Sequence, residues 1–301
     1  MDYQGFGSNT ASLHDVRRDP RYRFVKGDIA DYAFTRKVVK NASVIVNFAA
    51  QTHVDRSISN PELFFESNSR AVYNVVRAAQ EREGVKVVQI STDEVYGSLN
   101  HGSFDENSPL RPSSPYSATK ASGDLFVHAW NTTYDLGIIT LRCTNNFGPW
   151  QHPEKFIPKS IIRGLKGEGL PLYGGGGQIR DWIHVNDFCR SVDLALKKGV
   201  PGEVYNISAG NELSNREVAQ RIVKLIDKPS VKLIDVPDRP GHDARYSLNS
   251  QKARVSLNWK PAYTFDEALS MTVKWYQDHE SWWRKIATSK VLSETPWKER
   301  W

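Results

Sequence analysis

The chain has 301 residues, 39% hydrophobic and 25% charged, with a formal net charge of +6. That composition supplies a sizeable core and excludes general disorder. No apolar run of roughly 18 residues is present, so no membrane-spanning helix is expected, and the opening residues lack the basic-then-apolar pattern of a secretory signal. With only Cys143 and Cys189, neither a disulfide framework nor a zinc cluster is expected, and a reducing cytoplasm fits. The basic residues are spread out, and the densest groups are Arg17-Arg18, Lys197-Lys198 and Arg284-Lys285. A solvated basic surface is expected rather than a nucleic-acid partner, and a third reading gives some arginines to an anionic small molecule.

In chain order, residues 22–25 form a short strand candidate and 31–40 show a helical pattern. Residues 44–50 (VIVNFAA) read as a buried strand. Asn60, Pro61 and Glu62 are a cap, a proline at the first helical position and an early acid, opening a helix to about residue 83 that Gly84 stops. A second buried strand spans 85–91 (VKVVQIS), a helix 117–134 and a third strand 137–143 (GIITLRC). Strands separated by helices of this length imply right-handed crossovers and a parallel sheet. After Gly148-Pro149 the texture loosens: Pro153, Pro158, Pro171 and the glycines at 174–177 interrupt the chain. A strand at 204–207, a helix at 214–226 with Ser214 and Glu217 as a capping box, a strand at 231–236 and a helix at 265–279 follow. The fold expected is α/β: a doubly wound parallel sheet over residues 1–150 and a smaller α/β lobe over 151–301, with some segments returning to the sheet.

Two groups of residues carry chemistry. Tyr116 and Lys120 lie four apart, on one face of a helix. A free phenol titrates near 10, and an ammonium one turn away would move it toward a working base. Taken alone the pair also reads as an ordinary solvated helix face. The 85–91 strand runs into Thr92-Asp93-Glu94-Val95-Tyr96-Gly97. Chemistry in a doubly wound sheet sits at the carboxyl ends of strands, and two acids there can divide acid and base roles if their environments separate them. A plain turn is the other reading of Asp93 and Gly97.

Further motifs accompany these: Phe48-Ala49-Ala50 with His53-Val54-Asp55-Arg56-Ser57, Pro115 to Lys120, Asn145-Asn146-Phe147-Gly148-Pro149, Pro153-Glu154-Lys155, Gln178-Ile179-Arg180-Asp181-Trp182 and Asp238-Arg239-Pro240-Gly241-His242-Asp243. On these motifs, which extend over nearly the whole chain, the sequence resembles the extended short-chain dehydrogenase/reductases, and among them the dTDP-glucose 4,6-dehydratase family. The Thr-Asp-Glu triplet sets it apart from the related sugar epimerases. The resemblance implies a Rossmann-like sheet, NAD as cofactor and a nucleotide-sugar substrate. Tyr116 would take the proton of the sugar 4-hydroxyl while hydride leaves carbon 4. Lys120 would tune Tyr116 and hold the nicotinamide ribose. Glu94 would take the proton from carbon 5, protonated Asp93 would donate to the departing 6-hydroxyl, and Thr92 would bond near the 4-oxygen.

The same resemblance implies that Asp28 and Ile29 flank the adenine, that Phe48, Ala49, Ala50, Thr52 and Ser91 line the cofactor cleft, and that Asn68 meets it from its helix. Asn146, Glu154 and Lys155 would face the sugar nucleotide. Arg180 and Arg239 suit its diphosphate because a guanidinium holds two oxygens at once, and Asn215 would reach the nucleoside. His53 and His242 would join the substrate site or serve as structural contacts. The glycines at 174–177 lack the Lys-Ser/Thr of a phosphate loop and read as a turn beside Arg180.

The family's opening strand, glycine-rich turn, helix and second strand have no counterpart here; Gly5-Phe6-Gly7 neither follows a strand nor opens a helix. The expectation is a sheet lacking one βαβ unit, roughly 30 residues, and with it the helix N-terminus that anchors a pyrophosphate. A non-catalytic paralogue that binds sugar nucleotide, and a related dehydratase or decarboxylase with another base, are the competing readings. A homodimer is expected through the helices from Asn60 and from Ser117. Their apolar residues Phe64, Phe65, Val72, Val75, Val76, Leu125, Phe126, Val127 and Trp130 occupy more than one face.

Overall fold

A computed structural model describes residues 1, 2 and 4–300; Tyr3 and Trp301 lie outside the described residues. Helix α1 (Tyr32–Val39) starts at Asp31, whose side chain accepts from the Phe34 amide. Strand β1 (Val44–Asn47) follows, then α2 (Val54–Ser59) and α3 (Pro61–Phe64). A π-helical stretch (Phe65–Arg70) joins α3 to α4 (Ala71–Gln80), so the expected single helix is continuous but unevenly wound. Strand β2 (Lys86–Thr92), helix α5 (Pro115–Tyr134) and strand β3 (Ile139–Cys143) complete the first half.

The second half holds β4 (Asn145–Phe147), α6 (Phe156–Leu165), β5 (Leu170–Tyr173), β6 (Ile179–His184), α7 (Val185–Lys198), β7 (Val204–Ile207), β8 (Glu212–Ser214), α8 (Asn215–Ile226), β9 (Leu233–Val236), α9 (Gln251–Ser256) and α10 (Phe265–Asp278). The main sheet has the order β1-β2-β3-β7, all parallel. Two small sheets, β4-β6-β8 and β5-β9, belong to the second lobe. Because α7 and β7 return to the main sheet, the lobes interleave rather than divide at one point.

The main sheet is covered on both faces, which is why its strands read as continuous branched runs. Ile45, Val87 and Ile138 pack with Val72, Val75 and Val76 of α4 and Val127 of α5. Val88, Ile90, Ile139 and Leu141 face Phe188, Val192 and Ala195 of α7 and Trp259 beyond α9. A third core joins Ile157 and Ile161 of α6 to Val218 and Ile222 of α8 and Leu269 of α10.

Two expectations need correction. Among the described residues, 22–25 form no strand, and the pairing beside them is an isolated parallel bridge between Asp2 and Lys26. A strand needs a continuous hydrogen-bonded neighbour, and between this bridge and β1 lies a cavity instead. Of the residues cited for a dimer, Phe64, Val72, Val75, Val76 and Val127 are buried within the chain itself. Phe65 and Leu125 remain exposed, at 46% and 58%, together with Tyr134 at 48%.

A buried ion pair ties the sheet to α5. Arg142 on β3 meets Asp124 at 2.7 Å and donates to the Tyr96 hydroxyl at 2.7 Å, and Tyr96 donates to Asn206 on β7 at 2.8 Å. Removing one partner of such a pair leaves an uncompensated buried charge. Asp124→Ala should therefore cost about 3–5 kcal/mol in urea unfolding, whereas a loss under about 1 kcal/mol, as for an exposed pair, would show that Arg142 is solvated.

Candidate active site

The site begins where β2 ends. Thr92 caps the turn that follows: its Oγ1 accepts from the Glu94 amide at 3.3 Å and donates to Asp93 at 3.0 Å. The turn Asp93–Tyr96 closes on Gly97, at φ +82°, where an added Cβ would lie 2.2 Å from the Arg111 carbonyl. Only glycine satisfies both conditions. The register Thr92↔Cys143 sets Thr92 level with the end of β3, at the carboxyl edge of the parallel sheet.

Across this edge stands the start of α5. Its capping box (Ser114 with Ser117) and Pro115 at the first turn fix the helix entry, and the Tyr116 amide donates to Ser57 of α2 at 3.1 Å. Tyr116 is buried, with Thr92 as its side-chain hydrogen-bond partner. One turn on, Lys120 donates to the Ile90 carbonyl of β2 at 2.7 Å. The expected pull of Lys120 on Tyr116 is not what prevails here. Burial, and then the Glu94 carboxylate, hold the phenol well above its ordinary value, while burial lowers the Lys120 ammonium.

The two carboxyls are distinguished by their surroundings. Asp93 is buried, its Oδ2 has no partner among the described residues, and burial followed by the neighbouring Glu94 raises it well above the usual carboxylate range. Burial also raises Glu94, but Arg239, Arg180 and Lys155 all oppose that rise. Asp93 is thus the group that stays protonated and Glu94 the one more readily ionised, the separation that acid–base division of labour requires.

The second lobe supplies those cations. Arg180 on β6 donates to the Asp243 carbonyl at 2.9 Å and Lys155, just before α6, to the Thr52 carbonyl at 2.6 Å. Arg239 Nε lies 3.4 Å from Asp55, which also accepts from the Tyr173 hydroxyl at 2.9 Å, and Arg239 Nη1 is buried with no hydrogen-bond partner among the described residues. His242 contacts Asp238 at 2.5 Å, and burial with the nearby arginines pushes its pKa to about 4, so it is a neutral imidazole. His53 is likewise held neutral by burial and contacts the Glu154 carbonyl at 3.3 Å. Glu154, Lys155, Arg180, Asn215, Arg239, His242, His53 and Glu94 share a cavity of about 160 Å³.

A larger cavity of about 670 Å³ adjoins it through Thr52, Glu154 and Lys155. Asp28 and Ile29 line it, together with Phe48, Ala49, Ala50 and Thr52 from the loop after β1. The part at the carboxyl end of β1, walled by Asn47 to Thr52, is where a parallel sheet places a ligand, and the rest runs along β1 past Ile45 and Val75 into the gap beside the Asp2–Lys26 bridge.

Seven expected site residues line neither cavity: Thr92, Asp93, Tyr116 and Lys120, which cluster at the end of β2 beside Glu94, and three more whose polar atoms are otherwise engaged or buried. Asn68 is buried and bonds the Gln51 backbone in both directions (2.8 and 3.0 Å) and Thr119 at 3.0 Å, so its polar atoms brace the loop and do not line the cavity. Ser91 is buried inside β2 and lines neither cavity. Asn146 bonds the Thr144 carbonyl at 3.0 Å, and its neighbour Asn145 lines the smaller cavity with Oδ1 unpartnered. Alternation along β4 puts only one of the two on that side.

The sequence profile of the GDP-mannose 4,6 dehydratase family matches residues 5–272. A dTDP-glucose 4,6-dehydratase from Streptomyces niveus is 43% identical over 296 residues, covering 98% of this chain and 87% of the relative. The chain belongs to the dTDP-glucose 4,6-dehydratase family. Among solved structures of this family, the Streptomyces venezuelae enzyme with NAD bound superposes with a TM-score of 0.92 at 42% identity, covering 95% of this chain and 88% of that one. The Bacillus anthracis enzyme in complex with NAD gives 0.88 at 42% identity, covering 95% and 89%.

Beyond the residues read from sequence, the family site here includes Asp55, Tyr173, Asn145 and Tyr246. Asp55 lay within the His53–Ser57 motif and Asn145 within the Asn145–Pro149 motif; Tyr173 and Tyr246 carried no periodic or charge signal. The Asp93 environment has a thermodynamic consequence. A carboxyl raised by burial favours the neutral form in the folded state, so its stability contribution is complete below 3.8 and is lost as pH rises through the raised value. Asp93→Asn escapes that loss. At neutral pH the variant should be more stable than the parent by about 1 kcal/mol or more, with the gain vanishing toward pH 3.8 in thermal melts. A difference independent of pH would mean that Asp93 ionises normally.

Proposed function

We propose that the chain dehydrates dTDP-glucose to dTDP-4-keto-6-deoxyglucose, as an NAD-dependent lyase. The observation that carries this is the pair of adjacent carboxyls, unequally raised, facing Tyr116 at the carboxyl end of β2. An epimerase needs only to remove and return hydrogen at carbon 4, whereas water loss across carbons 5 and 6 requires a base and an acid side by side.

As the phenolate, a form that the positive nicotinamide ring of bound NAD would favour against the burial that raises the free phenol, Tyr116 takes the proton of the 4-hydroxyl, and Thr92, its partner, shares the oxygen. The 4-ketone then acidifies the hydrogen on carbon 5. Glu94 removes that proton, and Asp93, kept protonated by burial, delivers one to the 6-hydroxyl as it leaves as water. Hydride acceptance from carbon 4 and its return to carbon 6 are the chemistry that bound NAD supplies. Asp28 and Ile29 would flank the adenine, Phe48, Ala49, Ala50 and Thr52 would wall the cleft, and Lys120, anchored on Ile90, would hold the nicotinamide ribose. Arg180 and Arg239 face the diphosphate and Asn215 the nucleoside.

The chain also forms a homodimer in this reading. Phe65, Leu125 and Tyr134 expose large apolar surface along the run of α3 to α4 and on α5, beside the ring cluster of Tyr73, Phe126 and Trp130, spaced at 5.6–6.4 Å. Light scattering at micromolar concentration should give twice the chain mass; a monomeric mass would contradict it.

Glu94→Gln separates the steps. With NAD and substrate supplied, it should still oxidise carbon 4 and accumulate reduced-cofactor absorbance, while product formation falls by about 10²–10⁴-fold. Unchanged formation of the 4-keto-6-deoxy sugar would remove Glu94 from the mechanism.

A further inference from the structure

Tyr246 is 1% exposed and lines the smaller cavity. Its hydroxyl lies 2.5 Å from Oδ2 of Asp243 and 3.4 Å from Oε2 of Glu94. A phenol has one proton, and the close contact claims it. Asp243 is well placed to keep it. Its Oδ2 also receives the Ser113 hydroxyl at 2.5 Å, and its backbone carbonyl receives Arg180, whose guanidinium lies 4.2 Å over the Tyr246 ring. The ring is therefore fixed by stacking and the proton by Asp243.

We propose that Tyr246 is a positioning residue for Glu94: its proton is committed to Asp243, so its oxygen offers Glu94 an acceptor that can be used only once Glu94 has taken a proton. This rests on the role given to Glu94 in the proposed function. In the elimination, the carbon 5–hydrogen bond breaks and its electron pair forms the carbon 5–carbon 6 double bond, the oxygen on carbon 6 takes the proton of Asp93 and leaves as water, and the carbon 5 proton forms a bond to Oε2 of Glu94. That new O–H then donates to the Tyr246 oxygen; Tyr246 keeps its own proton in its hydrogen bond to the Asp243 carboxylate, and no protein group is oxidised or reduced. The ionised carboxylate gains nothing from a lone pair 3.4 Å away, whereas the protonated one gains a hydrogen bond. The arrangement favours the product of proton abstraction.

The groups facing Glu94 come from several elements. Arg239, Arg180 and Lys155 favour its ionised form, and Asp243 opposes it. Asp93 adjoins it in the same turn and Tyr116 stands across from it. Among these, Tyr246 is the neutral group within 3.4 Å of Oε2. Loss of its oxygen should move the Glu94 titration toward lower pH, because a hydrogen bond to the neutral form has been removed.

The test uses Tyr246→Phe in the full chain. The carbonyl stretch of protonated Glu94, identified by its loss in Glu94→Gln, is followed by infrared titration without substrate. Its midpoint should fall by roughly half a pH unit or more. With NAD and substrate, the acid limb of product formation should move the same way and its plateau fall by roughly tenfold, while carbon 4 oxidation in a single turnover keeps its rate. In the Glu94→Gln background, Tyr246→Phe should change nothing further. An unmoved midpoint, or equal losses in oxidation and elimination, would overturn the proposal. If Tyr246→Phe does not fold, Tyr246→Leu, which also removes the oxygen and keeps Asp243, must lower the midpoint instead; an unmoved midpoint there overturns it equally. A shifted midpoint in a chain whose parent forms no 4-keto-6-deoxy product would count against the proposed function and leave the Tyr246 contact standing.

Discussion

Two carboxyl groups, Asp93 and Glu94, sit side by side away from water at the end of a central strand, and the surrounding architecture answers the cost of keeping them there. Charged groups are expensive to bury unless neutralised or paired. The chain uses both answers: Asp93 is held as the neutral acid, and Glu94 is met by three cations. Thr92 and Gly97 fix the backbone of the turn locally, through the cap on the Glu94 amide and the close approach to the Arg111 carbonyl, and Thr92 also holds Asp93 by a hydrogen bond.

The cations all come from the second lobe, so the site exists only where the lobes meet. Each cation is itself tethered across or beside that boundary: Lys155 to the Thr52 carbonyl, Arg239 to Asp55 and Arg180 to the Asp243 carbonyl. The return of α7 and β7 to the main sheet anchors the lobe through core packing rather than through the polar contacts alone. Pairing a buried carboxylate with positively charged side chains on another segment makes the site's electrostatics a consequence of tertiary closure.

The main sheet was legible because strands buried on both faces must be continuously apolar, as at 85–91 and 137–143, and in the second lobe α8 was legible from its Ser214–Glu217 cap. The second lobe was less legible. Its strand β5 contains Pro171 and β6 contains Arg180 and Asp181, residues that break the apolar pattern because they serve the site or its supports. Residues 22–25 looked like a strand because sequence pattern reports side-chain character, not whether a neighbour supplies backbone partners. The acid pair, Tyr116 and Lys120 came together as read. Asn68 and Asn146 spend polar atoms on neighbouring backbone and Ser91 is buried in β2, placements that one step along a strand or helix decides and no local pattern reports. The Tyr246–Asp243–Glu94 contact joins residues 152 positions apart, which no local pattern encodes.

The central claim is that one site removes hydride from carbon 4, expels water across carbons 5 and 6, and places the same hydride on carbon 6. The most direct measurement follows the fate of a label: dTDP-glucose bearing deuterium at carbon 4, turned over by this chain with NAD in ordinary water, with the product analysed by NMR and mass spectrometry. The account predicts deuterium at carbon 6 of a 4-keto-6-deoxy sugar, transferred within each molecule. Deuterium retained at carbon 4 of a sugar that keeps its 6-hydroxyl would contradict it.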